Sequence, residues 1–154
     1  MRHPASCTDL PAGHADVLVA LGQRHRLALV SNFDHAPTAH GLLARHGIDR
    51  HFAATLISAD FGRRKPHPAI FHEATYASAC RRRRRSTSAT PTSTTSSALL
   101  GAGLDVAWLA PADAPVVDPA PTHRIATLAD LVGSPDPAHD GADAAFLGPL
   151  CASL

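Results

Sequence analysis

Apolar positions along the chain fall into short blocks separated by polar turns, and the blocks differ in period. Between 12 and 21, Val17, Leu18, Val19, Ala20 and Leu21 predict a helix ended by Gly22. Leu27 to Val30 is an unbroken apolar run closing in Ser31 and Asn32. Such a run predicts a strand buried on both faces, with a hydroxyl at its carboxyl end. Ala39, Leu42 and Leu43 then recur at helical spacing, and Gly47 is placed to cap that helix. A second strand is predicted at Ala54 to Ser58. Beyond it, the turn Gly62-Arg63-Arg64-Lys65-Pro66-His67-Pro68 delivers one lysine, and Pro68 opens a helix that includes Ile70 and Phe71. Strand, helix, strand, basic turn and helix make a parallel α/β unit, which binds ligands at the carboxyl ends of its strands. Ser31 and Lys65 both fall at that edge.

Composition narrows the picture without redirecting it. The 154 residues are 45% hydrophobic with a formal net charge of +1, enough for one domain with one core. No apolar run approaches the roughly 20 residues of a membrane span, and the opening residues lack the apolar centre of a signal peptide. A cytoplasmic protein with no membrane partner is therefore expected. Cys7, Cys80 and Cys151 are too scattered for a disulfide framework or a zinc cluster. The 11 histidines never stand three or four residues apart, the spacing that two ligands on one helix face require. Met1 to Pro11 has no periodicity, and there is no internal repeat.

The segments LALVSNFD, GI-DRHF, ISADFG and RKPHPAIF, in this order and spacing, resemble the haloacid dehalogenase-like (HAD) hydrolase superfamily, in its phosphatase-like branch with a helical cap. The resemblance implies an α/β fold with a Rossmann-like parallel sheet. From Leu104 the pattern continues, with Asp105 to Leu109 as the last main strand and a proline-rich loop at 111 to 121. His123 to Ile125, followed by Leu128 and Leu131, then resembles the closing short strand and helix. A partial HAD-like core over 12 to 133 is expected, with 134 to 154 an unstructured tail rich in Pro, Asp and Ala.

Two parts of the family pattern are missing. Members carry an upstream strand ending in Asp-x-Asp, whose first aspartate is the nucleophile and whose second is the general acid. The present sequence contains no Asp-x-Asp, and no cap. In the resembled fold the nucleophile strand and the fourth-motif strand hold the centre of the sheet. The sheet is therefore expected to be incomplete, with strands near 27 to 31, 54 to 58 and 105 to 109 and the central ones missing or garbled. The isolated chain is expected to be unstable or molten.

The garbled part lies between 75 and 99. Arg81 to Arg85 are five consecutive arginines, and ten of the twelve residues from Ser86 to Ser97 are Ser or Thr. At face value this is a basic linker able to touch an acidic partner. A different reading regroups each codon's third base with the next two, assuming CGN arginine and TCN serine codons. The window can then read Val-His-Val-Gly-Asp-Thr-x-Val-Asp-Asp-Val-Val-Gly-Ala and run in register into Leu100. That resembles the fourth HAD motif, a strand ending in Gly-Asp where the family binds magnesium. Residues 75 to 99 are thus expected to be translated from a shifted frame.

By resemblance, intact relatives hydrolyse a phosphate monoester through an aspartyl-phosphate, with Mg2+ bridging nucleophile and phosphate. Ser31 would donate its hydroxyl to a phosphoryl oxygen, the Asn32 backbone amide would assist, and Lys65 would meet the charge of nucleophile and phosphate. The catalytic residues expected are Ser31 and Lys65, and the phosphate-binding ones Ser31, Asn32 and Lys65. No metal ligand is assigned, because the residues that would hold Mg2+ are not in this sequence. Asp34, His35 and Asp60, near the same edge, read as solvated loop residues. The partner implied is a small phosphorylated metabolite rather than nucleic acid, and no turnover is expected from the chain as written. Two alternatives stand beside this: a non-catalytic interaction protein using Arg81 to Arg85 and the Ser/Thr segment, and a 2-haloacid dehalogenase-like enzyme, which uses the same serine and lysine without magnesium.

Overall fold

The computed structural model describes residues 10–77, 85–89, 93–101, 104–111, 113–115, 118–133 and 144–147. Helix α1 (His14–Gly22) leads into strand β1 (Arg26–Ser31), followed by helix α2 (Ala36–Arg45). A single 3-10 turn at Asp49–His51 precedes β2 (Phe52–Ile57), the one-turn helix α3 (Ser58–Phe61) and helix α4 (Pro68–Ala77). Then come β3 (Arg85–Ala89), α5 (Ser93–Gly101), β4 (Leu104–Leu109), β5 (His123–Ile125), α6 (Asp130–Gly133) and β6 (Ala144–Leu147). The strands form one sheet in the order β2-β1-β6-β3-β4-β5, and every neighbouring pair is parallel.

The unbroken apolar run of β1 is explained by cover on both faces. Alternate residues of a strand point to opposite sides. Ala28 and Val30 pack with Ile70, Phe71 and Ala74 of α4, and with Leu99 and Val106. Leu27 and Leu29 pack instead with Leu18 and Leu21 of α1, with Leu43 of α2 and with Ile48. Helices therefore lie on both faces of the sheet, as a parallel sheet requires. Gly47, at φ +64, ends the α2 region in the left-handed conformation that a cap of this kind needs. Near the far edge, Trp108 is buried under the guanidinium of Arg124, 5.1 Å from the ring centroid. Arg124 also donates to the carbonyls of Pro111 and Ala114.

The centre of the sheet is held by a short strand from the C-terminal segment. The tail at 134 to 154 is expected to be unstructured, yet Ala144–Leu147 forms β6 between β1 and β3. It pairs Arg26 with Ala144 through to Leu29 with Leu147 on one side, and Thr87 and Ser88 with Phe146 and Leu147 on the other. A run of Ala-Ala-Phe-Leu is apolar enough for an interior strand, and a tail judged by its overall Pro and Asp content hides it. The rest of that tail lies outside the described residues. β3 comes from the Arg/Ser/Thr-rich stretch itself, where the literal sequence reads as a linker. Strand pairing is a backbone interaction, and β3 completes a five-residue register with β4 from Arg85 and Leu104 to Ala89 and Trp108. Arg81 to Arg84 lie outside the described residues.

Candidate functional site

Ser31 is the last residue of β1, half-buried and opposite Ile57 of β2, at the carboxyl edge of the sheet. The backbone then leaves the sheet through Asn32 and Phe33, and two cross-links hold it there. The first joins Asn32 to Lys65. The Asn32 side chain donates Nδ2–H to the Lys65 carbonyl at 3.0 Å, and its Oδ1 accepts the Lys65 backbone N–H at 2.7 Å. The second joins Phe33 to Ser58, which is buried. The Phe33 backbone N–H donates to Ser58 Oγ at 3.1 Å, and that hydroxyl donates to the Phe33 carbonyl at 3.2 Å. Each link satisfies the N–H and C=O of one residue with one side chain, Lys65 in the first and Phe33 in the second, so the loop after Ser31 is braced in two places.

The basic turn is positioned by its own local chemistry. Gly62, at φ +76, ends α3 by donating to the Ser58 carbonyl at 2.9 Å. His67 donates its backbone N–H to the Arg64 carbonyl at 2.9 Å, and its ring Nδ1 accepts from Ala69 at the start of α4. The Lys65–Pro66 peptide bond is cis. Burial lowers the Lys65 ammonium from its ordinary 10.5 to about 8, because the charged form loses hydration there. A lysine in that state meets an anion with little water to displace.

The three residues singled out from the sequence are thus connected: Ser31 through the chain to Asn32, and Asn32 through two hydrogen bonds to Lys65. The neighbouring loop residues take other partners. His35 caps α2 by accepting from the Thr38 backbone N–H at 3.3 Å. Asp34 pairs with Arg64 at 3.3 Å, and Asp60 with His40 at 2.9 Å. Both pairs are exposed, the kind that contributes little to stability. Sequence reasoning missed Ser58 as a brace, since a serine at a strand end gives no sign of which distant amide it will meet.

A hydrolase of the resembled kind would need carboxylates facing this edge for a divalent cation. Among the described residues no three His, Cys, Asp or Glu side chains are grouped to hold a metal ion. Asp34 and Asp60, the carboxylates near this edge among the described residues, are already partnered by Arg64 and His40, so the described donor set does not fit Mg2+. No helix among the described residues is long and apolar enough to cross a membrane.

No family model matches the chain, and no curated protein matches it. Among solved structures it is similar to a protein described as a HAD-hydrolase, YfnB from Bacillus subtilis, crystallised bound to magnesium. The TM-score is 0.66 at 24% sequence identity, over 80% of the present chain and 54% of that one. The chain therefore has the fold of the HAD type and spans about half the length of that relative.

Proposed function

We propose that this chain carries the phosphate-facing half of a HAD-type phosphate-ester hydrolase site, and that as written it binds a phosphoryl group without turning it over. The observation that carries the reading is the pair of hydrogen bonds between Asn32 and Lys65. They hold the lysine turn against the end of β1, where Ser31 stands. In this reading the Ser31 hydroxyl donates to one phosphoryl oxygen and the Asn32 backbone N–H to another. The Lys65 ammonium, short of hydration, neutralises the dianion. A carboxylate nucleophile would have to stand on a neighbouring strand end, and no Asp-x-Asp is present to supply one. No step is drawn through a metal, because the described carboxylates do not make a site for it.

Titrating the full chain with inorganic phosphate, followed by NMR or calorimetry, tests this. Saturable binding in the millimolar range is expected. Lys65→Met should weaken it about tenfold or more, the ~1.5–3 kcal/mol of a hydrogen bond to a charged group. Affinity should also fall as pH is raised through about 8, where Lys65 gives up its proton. Binding that ignores Lys65→Met, or no saturation at all, would sink the reading.

A further inference from the structure

The Asn32 side chain faces a choice. An amide at the mouth of a phosphate site could point its NH2 group at the ligand. Here both of its ends are engaged by one backbone unit, since Oδ1 takes the Lys65 N–H at 2.7 Å and Nδ2 gives to the Lys65 carbonyl at 3.0 Å. The two bonds restrain Lys65 on both sides of its Cα and so fix the direction in which its side chain leaves the backbone. A single hydrogen bond would leave the turn free to rotate about it; two in opposite senses do not. The flanking turn is a weak restraint by comparison. Arg63, Arg64, Pro66, His67 and Pro68 are all exposed, and Lys65 alone among 62 to 68 is half-buried. Something has to hold a cationic side chain inward against its preference for water, and the reciprocal amide pair joins two positions 33 apart in the sequence.

We propose that Asn32 is a positioning residue: its side-chain amide clamps the Lys65 backbone and so keeps the Lys65 amine turned in toward the end of β1 instead of out into solvent. The role differs from phosphate binding through the Asn32 backbone amide, and the two are compatible because they use different atoms. The inference rests on the proposed site only for its purpose. The clamp itself requires no ligand.

The lowered Lys65 proton affinity gives a readout that a merely structural residue would not move. The full-length chain is labelled with 13C at the lysine ε carbons, and the Lys65 resonance, assigned by its loss in Lys65→Met, is titrated without phosphate. In the unaltered chain the midpoint is expected at about 8. In Asn32→Ala, and in Asn32→Gln, whose amide sits one methylene further out and is displaced from the N–H and C=O of Lys65, it should rise toward the ordinary 10.5. Fluorescence of the buried Trp108 reports whether each variant keeps its fold. A folded Asn32→Ala chain with its Lys65 midpoint still near 8 would overturn the proposal, as would a midpoint at 10.5 in the unaltered chain.

Should both variants unfold, amide hydrogen exchange in the unaltered protein decides the matter. Protection at the Lys65 N–H supports the clamp, and exchange as fast as in an unstructured peptide refutes it. Failure here is distinct from failure of the phosphate reading. Phosphate can fail to bind while the Lys65 midpoint responds to Asn32, and phosphate can bind while the midpoint does not respond.

Discussion

At Lys65 burial and charge pull against each other, and the balance has a sign that can be worked out. The native lysine gives up its proton near 8 and the unfolded one near 10.5. Between those values the unfolded chain binds more protons, so stability rises with pH; below about 8 the cost of the buried charge is present in full. Lys65→Met should therefore be more stable than the unaltered chain at pH 7, with a gap that narrows from pH 8 to 10. Urea denaturation of both proteins across that range checks this, and a gap independent of pH would contradict it. The candidates were legible at this scale: a hydroxyl at the end of an apolar run and a lysine in a proline-bounded turn are visible in the sequence. What each side chain touches was not. Asn32 meets Lys65 across 33 residues and Ser58 meets Phe33 across 25, separations at which only the folded chain can bring partners together.

Elements were readable where packing on one stripe or on two faces leaves a period. β1, α2, β2, α4, β4 and β5 stand within a few residues of their predicted places. α3 gave no signal, because four residues make barely one turn and cannot show helical spacing. β3 and β6 were hidden for a different reason: their places are set by the edges they join. The regrouped reading of the Arg/Ser/Thr stretch nonetheless puts its Val-His-Val-Gly strand over the residues that form β3. Turn chemistry yields a prediction of opposite signs. Gly41 lies inside α2 with nothing within 4 Å of an added Cβ, so Gly41→Ala should stabilise by about 0.5–1 kcal/mol. Gly62 has the same open surroundings but φ +76, so Gly62→Ala should destabilise by about 1 kcal/mol through backbone strain alone. Denaturation midpoints of the two variants, shifted in the same direction, would contradict the assignment.

For the whole molecule, the sequence leads to the expectation of an unstable or molten chain, and β6, between β1 and β3, is the strand on which that outcome turns. Remove β6 and the sheet falls into two pieces, β2-β1 and β3-β4-β5, each with an open edge facing the other. The helix layers would still join them, since Leu99 and Val106 pack with Ala28 and Val30, and Leu128 and Leu131 against the α1 cluster. We expect the full chain to unfold in one cooperative transition, and a chain ended after Gly133 to lose that cooperativity while keeping much of its helical signal. Coincident thermal transitions by far-UV and near-UV circular dichroism in the shortened chain would show that β6 is dispensable. The order of the strands also bears on how the protein is made. A ribosome adding about 5–20 residues per second completes β1 through β5 seconds before it reaches β6. During that interval β1 and β3 have no partner from 144–147, and their exposed inner edges are the segments a chaperone would need to shield until β6 arrives.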